Sequence, residues 1–353
     1  MKASPPPRAT PARSLVSWLL RASLSDLAPP ARGQFLSSSW ASFDKLGARD
    51  YRCVTQDFPH PKPVEGRTFG YAIETAAIVT RPLLVIDGDS FAHRAYHALP
   101  KSLRSRGGKG GGAILGFANF LLKLYADEQP RAVLAAWDTL ETPTWRQQAL
   151  PDYQGGRVFD DELVDQLKVL PRLVLACGFA IAKAPGYEAD DFLAAAATGE
   201  EKRGGTAIVA SGDRDAFQLA SERTTILQPL RAGEMARIDP AGVRERYGVE
   251  PHQVPDFIAL RGDPSDKIPG AKGVGPKGAA ALLEKYGTLE EALADPRLSG
   301  QEESLRLYRK IATMNAAAPL PPLPDQTPTW TRAAALARDW ELNRLADRLA
   351  ALA

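Results

Sequence analysis

The sequence has little of several residue types that mark common classes of protein. Among its 353 residues there are two cysteines, Cys53 and Cys177, and four histidines. Two cysteines cannot build a disulfide framework and are typical of a protein from a reducing compartment. No apolar run approaches the roughly 18 residues that a membrane-spanning helix needs. The net charge is only +2, so attraction to a polyanion has to come from local clusters of charge.

The first 80 residues differ in composition from the rest of the chain. Residues 1–43 hold five basic residues and a single acid, Asp26, among many Ser, Ala and Pro. This bias is similar to that of organellar transit peptides. A disordered tail, or an upstream stretch included by a misplaced start codon, explains the composition better. We therefore assign no function to residues 1–80.

From residue 83 onward, the apolar pattern predicts a parallel α/β fold. Continuous apolar runs are typical of buried parallel strands, and apolar residues at helical spacing lie between them. Strands that alternate with helices predict a mostly parallel sheet with helices on both faces. The strands are predicted near residues 83–86, 131–137, 179–182, 206–210 and 224–227, and the helices at 113–126, 161–177 and 189–203.

The chain is expected to divide into three segments beyond residue 80. An α/β domain is predicted over 81–239, and a helical domain follows over 240–315, where the strand pattern stops. A Pro-rich linker and a C-terminal helix occupy 316–353. The C-terminal helix, at about 331–350, is amphipathic and is expected to pack back on the helical domain.

Carboxylates follow three of the predicted strands, as Asp87, Asp138 and Asp213. Because the carboxyl ends of parallel strands share one edge of a sheet, these side chains are expected to meet there. A single acid of this kind is as often only a helix N-cap. The complete set contains oxygen ligands alone, which suits two Mg²⁺ or Mn²⁺ ions rather than zinc. The other acids of the set are Glu188, Asp190, Asp191, Asp215, Asp263 and Asp266.

A glycine-rich segment precedes a predicted helix at about 279–286. It contains G-x-G-x-x-G, but no strand precedes it, so the dinucleotide-binding interpretation is excluded. It is similar instead to a helix–hairpin–helix element, in which backbone N–H groups of the turn contact a DNA phosphate. Lys272 and Lys277 add positive charge beside Gly273 and Gly275. Binding of this kind depends on DNA structure and on salt rather than on base sequence.

Taken in order, these motifs resemble one known family over about residues 82–300. The family comprises the 5′-nuclease domain of bacterial DNA polymerase I and the free-standing bacterial 5′–3′ exonucleases and flap endonucleases. The motifs that carry the resemblance are Val85–Gly88, Arg94–Ala98, Asp138, Tyr153, Gly186–Asp191, Ser211–Asp215 and Gly262–Gly270, followed by the Gly-Val-Gly turn.

The resemblance implies a PIN-like core followed by a helix–three-turn–helix clamp for DNA. It implies that Arg94 holds the scissile phosphate and that Tyr153 stacks on or positions an unpaired nucleotide. The glycine turn and Asp266 would contact DNA, and the turn would also hold a monovalent cation. One metal ion would be surrounded by Asp87, Asp138, Glu188 and Asp190, and a second would have Asp191, Asp213, Asp215 and Asp263 at or near it.

The sequence departs from the family at the arch, the helical segment that follows Tyr153. Gln154 stands where the family has a lysine that stabilises negative charge on the phosphate. Gly155 and Gly156 weaken a helix there by roughly 1 kcal/mol each. Arg146 or Arg157 is the candidate to replace the lysine. Asp89 also departs from the family, because it adds a charge beside Asp87 where a neutral residue is usual.

The function that the resemblance implies is a metal-dependent 5′–3′ deoxyribonuclease of replication and repair. It would act as exonuclease, flap endonuclease or both on DNA with a 5′ flap, a nick or a free 5′ end, by two-metal-ion hydrolysis. We expect a free-standing monomer of the bacterial cytoplasm. Two alternatives remain: a weakly active or inactive protein that binds DNA junctions, which Gln154 favours, and a PIN-type ribonuclease, which the glycine turn disfavours.

Overall fold

The computed structural model describes residues 81–139, 142–156 and 159–353. The strands are β1 (Leu83–Asp87), β2 (Ala132–Ala136), β3 (Ala180–Ala182), β4 (Ala207–Ala210), β5 (Thr224–Pro229) and β6 (Met235–Ile238). The helices of the α/β part are α1 (Gly88–Ala98), α2 (Gly112–Glu128), α3 (Trp145–Ala149), α4 (Asp161–Ala176) and α5 (Ala189–Lys202). The remaining helices are α6 (Pro240–Tyr247), α7 (Val254–Arg261), α8 (Pro276–Tyr286), α9 (Leu289–Ala292), α10 (Glu302–Ala312), α11 (Trp330–Asp339) and α12 (Asn343–Ala350).

The six strands form one sheet in the order β3-β2-β1-β4-β5-β6. The first five are parallel, as the sequence predicts. The sixth, β6, runs antiparallel to β5 at the edge and was not predicted. The direction of winding reverses between β1 and β4, so the crevice in which α/β sheets bind their ligands lies at the carboxyl ends of these strands.

Each face of the sheet is covered by a separate apolar core. Because side chains alternate along a strand, Leu83 and Val85 lie on one face and Leu84 and Ile86 on the other. The first face packs against α5 and against the helical domain, with Phe192 at the centre. The second face packs against α1, α2 and α4. All five residues of β1 are buried, so packing on both faces fixes the strand that carries Asp87.

The C-terminal region is placed differently from the expectation. Residues 331–350 form two helices, α11 and α12, and not one, because Glu341 takes a left-handed conformation (φ 60°) between them. They pack on the α/β domain and not on the helical domain. Trp330 contacts the rings of Tyr125 and Phe179, with centroids 5.3 and 5.6 Å apart.

The Pro-rich segment before α11 is docked along the sheet. The Gln326 N–H donates to the Arg131 carbonyl at 2.8 Å, and the Gln326 side-chain oxygen accepts from Val133 N–H at 2.8 Å. The Thr329 N–H donates to the Cys177 carbonyl at 2.8 Å. These bonds carry the chain to the second face of the sheet. None of the described helices combines the length and apolarity needed to cross a membrane.

Candidate active site

An open cleft of about 800 Å³ lies at the carboxyl ends of β1 and β4. It lies where the fold predicts a ligand site. Acidic side chains dominate its wall, and two arginines, Arg214 and Arg261, stand among them. The acids that line it are Asp87, Asp89, Asp138, Glu188, Asp190, Asp213, Asp215 and Asp263. Seven of these eight were singled out from the sequence as metal ligands.

Asp87 is both a helix cap and a member of this acid group. It ends β1 and begins α1, where one carboxylate oxygen accepts the Ser90 N–H at 2.9 Å. The other oxygen accepts the hydroxyl of Ser211 at 2.7 Å. Burial raises the pKa of Asp87 to about 7, and the charges of Asp138 and Asp213 add to the rise.

The acids that follow the other strands and those at the start of α5 raise one another's pKa. Burial raises the pKa of Asp190 well above its usual range, and Asp213 and Asp87 raise it further. The pKa of Asp215 is also well raised, first by burial and then by Asp213. Each group would be stabilised as a carboxylate by a cation in the cleft.

Glu188 is held by side chains at α3 and just after it. Its carboxylate accepts the Thr144 hydroxyl at 2.8 Å and the Tyr153 hydroxyl at 3.1 Å. Arg146 lies 3.3 Å from it. Burial raises the pKa of Glu188 although the charge of Arg146 opposes the rise. The side chain is therefore fixed in orientation while it lines the cleft.

Asp191 does not belong with the cleft acids, contrary to the expectation that it lies at the second metal ion. It is fully buried and forms a two-pronged ion pair with Arg146, at 2.6 and 2.9 Å. It also accepts the Asn315 N–H at 2.8 Å. Arg146 is itself 2% exposed, so it cannot replace the missing arch lysine. Arg157, the other candidate, lies outside the described residues.

Tyr153 is not placed to stack on a nucleotide. The ring is 5% exposed and belongs to the core on the α5 face. Its hydroxyl donates to Glu188, and the Gln154 side-chain amide donates to that hydroxyl at 3.1 Å. Burial and the charge of Glu188 raise the pKa of Tyr153. The residue therefore orients Glu188.

The loop after α7 brings Asp263 to the rim of the cleft. Gly262 and Gly270 pack backbone to backbone across this loop, and a Cβ on Gly270 would lie 2.3 Å from the Gly262 nitrogen. Asp263 accepts from Arg261 at 3.1 Å and from the Ser265 N–H at 2.8 Å. Asp266, expected to contact DNA, is 7% exposed and does not line the cleft.

Arg94 does not line the cleft. It is exposed on α1 and donates to the Leu230 carbonyl. Asp89 does line the cleft. Its carboxylate accepts the Asp138 N–H at 2.6 Å and so holds the backbone just after β2. Burial and Asp138 raise the pKa of Asp89 well above its usual range. The sequence signal for Asp89 was its unexpected charge beside Asp87.

The glycine turn leads into α8. Gly273 has a left-handed backbone (φ 77°), and Gly275 is an N-cap without a side chain, so the first N–H groups of α8 have no side-chain acceptor at the cap. Lys272 and Lys277 are exposed. The Lys272 N–H is engaged, because it donates to the Gln301 side chain at 2.7 Å.

The residues of the cleft fit a hard divalent cation. Within the described ranges, no three His, Cys, Asp or Glu side chains close into a ready-made cation cage. The acids that line the cleft nevertheless provide carboxylate oxygens only, which Mg²⁺ and Mn²⁺ prefer. Burial first, and then the charges of neighbouring acids, raise the pKa values of Asp87, Asp190 and Asp215, and a bound cation would offset both effects.

The sheet order and the attached helices define a PIN-like, resolvase-type α/β domain followed by a helical domain of the SAM type. Two family models match: the 5′–3′ exonuclease N-terminal resolvase-like domain over 82–248, and the 5′–3′ exonuclease C-terminal SAM fold over 249–333. The chain therefore belongs to the 5′–3′ exonuclease family, a family of nucleases. This confirms the fold class and the family that the sequence predicts.

Curated relatives and solved structures agree with this assignment. DNA polymerase I of Mycobacterium tuberculosis is 42% identical over 210 residues, which cover 59% of this chain and 23% of that protein. DNA polymerase I of Bacillus caldotenax is 38% identical over 240 residues, which cover 67% and 27%. The chain thus spans about a quarter of the length of these relatives.

Two solved structures share the fold at low sequence identity. The 5′-exonuclease of bacteriophage T5, solved with bound zinc, has a TM-score of 0.57 at 18% identity, with 76% of this chain and 98% of that chain covered. The catalytic core of Rad2, solved with a DNA substrate, has a TM-score of 0.51 at 14% identity, with 76% and 91% covered.

Proposed function

We propose that this protein is a metal-dependent 5′ nuclease that hydrolyses phosphodiester bonds of DNA at a 5′ flap, a nick or a free 5′ end. The observation that carries the proposal is the group of eight cleft acids at the reversal point of the sheet. Acids whose pKa values are raised by burial and by one another are typical of a functional site. A fold that served only to bind DNA would gain nothing from so much negative charge beside phosphates.

The cleft residues divide between two candidate ion sites. Asp87, Asp138, Glu188 and Asp190 would hold one ion, and Asp213, Asp215 and Asp263 would hold the second. When bound, Mg²⁺ or Mn²⁺ would neutralise phosphate charge and lower the pKa of water, which favours in-line hydrolysis to a 5′-phosphate and a 3′-hydroxyl. The protein fixes its own ligands: Ser211 and Ser90 hold Asp87, and Tyr153 and Thr144 hold Glu188.

The glycine turn is the proposed contact to duplex DNA. Its exposed lysines, Lys272 and Lys277, and the N–H groups at the start of α8 are suited to phosphate oxygens. A monovalent cation could share this turn. The T5 flap endonuclease was solved with DNA and metal ions, and Rad2 with a DNA substrate, which supports DNA as the partner here. Because the curated relatives are bacterial, we propose that the protein acts in a bacterial cytoplasm. We also propose that it acts as a monomer.

A DNA-junction-binding protein without activity is the second candidate. Gln154 favours it, because a neutral amide lines the cleft where the family resemblance implies a lysine. If the protein only binds DNA, replacement of a cleft aspartate should leave DNA binding unchanged, and there is no cleavage to lose. The two candidates therefore differ in what a single aspartate does.

The test compares cutting with binding for the full chain. A 5′-labelled flap duplex, a nicked duplex and a matched RNA flap are incubated with Mg²⁺, with Mn²⁺ and with EDTA. We expect cutting of the DNA flap with either metal and none with EDTA. In the Asp213→Asn variant we expect cutting to be lost and DNA affinity kept within about threefold, because Asp213 would hold an ion and would not contact the duplex. Tight binding without product in either metal would favour the junction-binding candidate, and equal cutting of the RNA flap would widen the substrate class.

A further inference from the structure

Lys267 lies beside the arch turn, next to the acid-lined cleft. A Cβ on Gly155 would lie 3.5 Å from the Lys267 ammonium nitrogen, and one on Gly156 would lie 3.6 Å from it. The Gln154 N–H donates to the Asp266 carbonyl at 3.2 Å, which ties the arch turn to the loop of Lys267. The ammonium group therefore sits against the segment where the sequence lacks a lysine.

The backbone of Lys267 is in a costly conformation. Its φ is 57°, and it is one of four non-glycine residues with positive φ in the described part of the chain. A residue with a Cβ loses roughly 1–2 kcal/mol in the left-handed region, and lysine has no short polar side chain to offset the loss. Reciprocal hydrogen bonds between Asp263 and Ile268, both 2.8 Å, hold the loop in this shape. Strain of this kind at the edge of a site motivates a functional hypothesis.

The charge of Lys267 is available for an anion. The side chain is exposed, and none of the carboxylates in the described ranges lies within ion-pair distance of its nitrogen. Among the described residues that line the cleft beside it are eight acids and two arginines, and one of these arginines, Arg261, is paired with Asp263 at 3.1 Å. Pro264 and Ser265, which precede Lys267 by three and two residues, line that cleft. The Lys267 ammonium group is therefore the charge of a loop whose neighbouring residues line the cleft.

We propose that Lys267 binds the phosphate next to the cleft acids and supplies the positive charge that Gln154 lacks. The proposal rests on the proposed nuclease function and names a phosphate-binding residue of that site. The Lys267 side chain comes from the facing loop and reaches the turn that follows Gln154. Residues 154 and 267 should accordingly replace each other functionally.

The experiment compares four variants of the full chain with the unchanged protein. Lys267→Asn removes the charge but suits a left-handed backbone, so the fold is not at risk. Lys267→Arg keeps the charge. The double variant Lys267→Asn/Gln154→Lys returns a lysine to the arch. Lys168→Gln is the matched control, since Lys168 is an exposed lysine on α4, outside the site. Single-turnover cutting of flap DNA, melting temperature and DNA affinity at several salt concentrations are measured.

We expect Lys267→Asn to slow cutting by about 10- to 100-fold, the range for loss of a charged hydrogen bond, with no fall in melting temperature. Lys267→Arg and the double variant should cut within about fivefold of the unchanged protein, and Lys168→Gln should be unaffected. A rate for Lys267→Asn within twofold of the unchanged protein would overturn the proposal. A loss that the double variant does not recover would also overturn it.

If the unchanged protein does not cut DNA, the proposed nuclease function fails. DNA binding then tests the phosphate contact of Lys267 by itself. One phosphate contact contributes about one unit to the slope of log affinity against log salt. If the slope becomes shallower by about one in Lys267→Asn, and not in Lys168→Gln, this would support the phosphate contact on its own. An unchanged slope would then overturn it.

Discussion

Removal of the Arg146 guanidinium should destabilise the fold and disturb the cleft at the same time. Arg146 is buried on α3, pairs with Asp191 through two bonds of 2.6 and 2.9 Å, and lies 3.3 Å from Glu188. It also donates to the carbonyls of Ile311 and Thr313, at 2.9 and 3.1 Å. One side chain thus joins α3, the start of α5 and the end of α10.

The expected cost follows from the burial of both partners. Arg146→Gln leaves the Asp191 carboxylate buried without its cation, and breaking such a pair costs about 3–5 kcal/mol. Asp191→Asn in the same chain removes the orphaned charge. The double variant should therefore be less destabilised than the sum of the two single variants. Urea denaturation followed by circular dichroism, in EDTA, measures these free energies of unfolding.

A second buried ion pair provides the control. Arg131 binds Glu200, with one bond of 2.9 Å, and donates to the Leu323 carbonyl at 2.8 Å. It precedes β2, so it lies at the end of the sheet away from the cleft. Arg131→Gln should cost a similar free energy of unfolding. Only Arg146→Gln should also raise the Mg²⁺ concentration for half-maximal cutting, by about 10-fold or more, because Glu188 loses a group that orients it. A cost below about 1 kcal/mol for Arg146→Gln, or an equal metal effect in both variants, would refute this reasoning.

Three further predictions concern single side chains near the cleft. Burial raises the pKa of Asp87 to about 7, so the folded state binds an extra proton between about pH 4 and 7 and the metal-free protein should lose stability as pH rises through that range. Asp87→Asn should flatten this slope and raise stability in EDTA at pH 8 by at most about 4 kcal/mol, and thermal melts across pH that show an unchanged slope would contradict it. Tyr153→Phe keeps the buried ring but removes the bond to Glu188, so it should cost about 1 kcal/mol and raise the metal requirement for cutting; an unchanged Mg²⁺ titration would count against the orienting role. Gly270→Ala places a Cβ 2.3 Å from a backbone nitrogen at φ 76° and should cost about 2 kcal/mol or more, whereas Gly275→Ala, in open space at φ −94°, should cost less than about 1 kcal/mol; equal melting temperatures would show that the loop can relax.

The sheet and most of the cleft could be predicted from the sequence because their signals are local. A buried strand is a short apolar run, and an aspartate at its end is carried to the shared edge by the topology alone. Asp87, Asp138 and Asp213 reach the cleft in this way. The antiparallel strand Met235–Ile238 was missed because its four residues hold no clear alternation and a short turn precedes it.

The remaining differences arise from pairs that are distant in the sequence. The sequence around Asp191 does not indicate that its carboxylate forms an ion pair with Arg146, 45 residues earlier. The burial of Tyr153 depends on how α3 and α5 pack, and the approach of Lys267 to the arch depends on a loop held by Asp263. The C-terminal helices pack on the α/β domain, where Trp330 contacts the ring of Tyr125, and helical periodicity cannot reveal such a distant partner.

The most direct test of the central claim is the initial rate at which the full chain cuts a 5′-flap DNA duplex as free Mg²⁺ is raised from zero in an EDTA buffer. We expect no product without the ion, a saturable rise in rate as the cleft acids bind it, and products that carry a 5′-phosphate and a 3′-hydroxyl. Cutting that persists in EDTA, or an absence of cutting at every Mg²⁺ and Mn²⁺ concentration, would contradict the account.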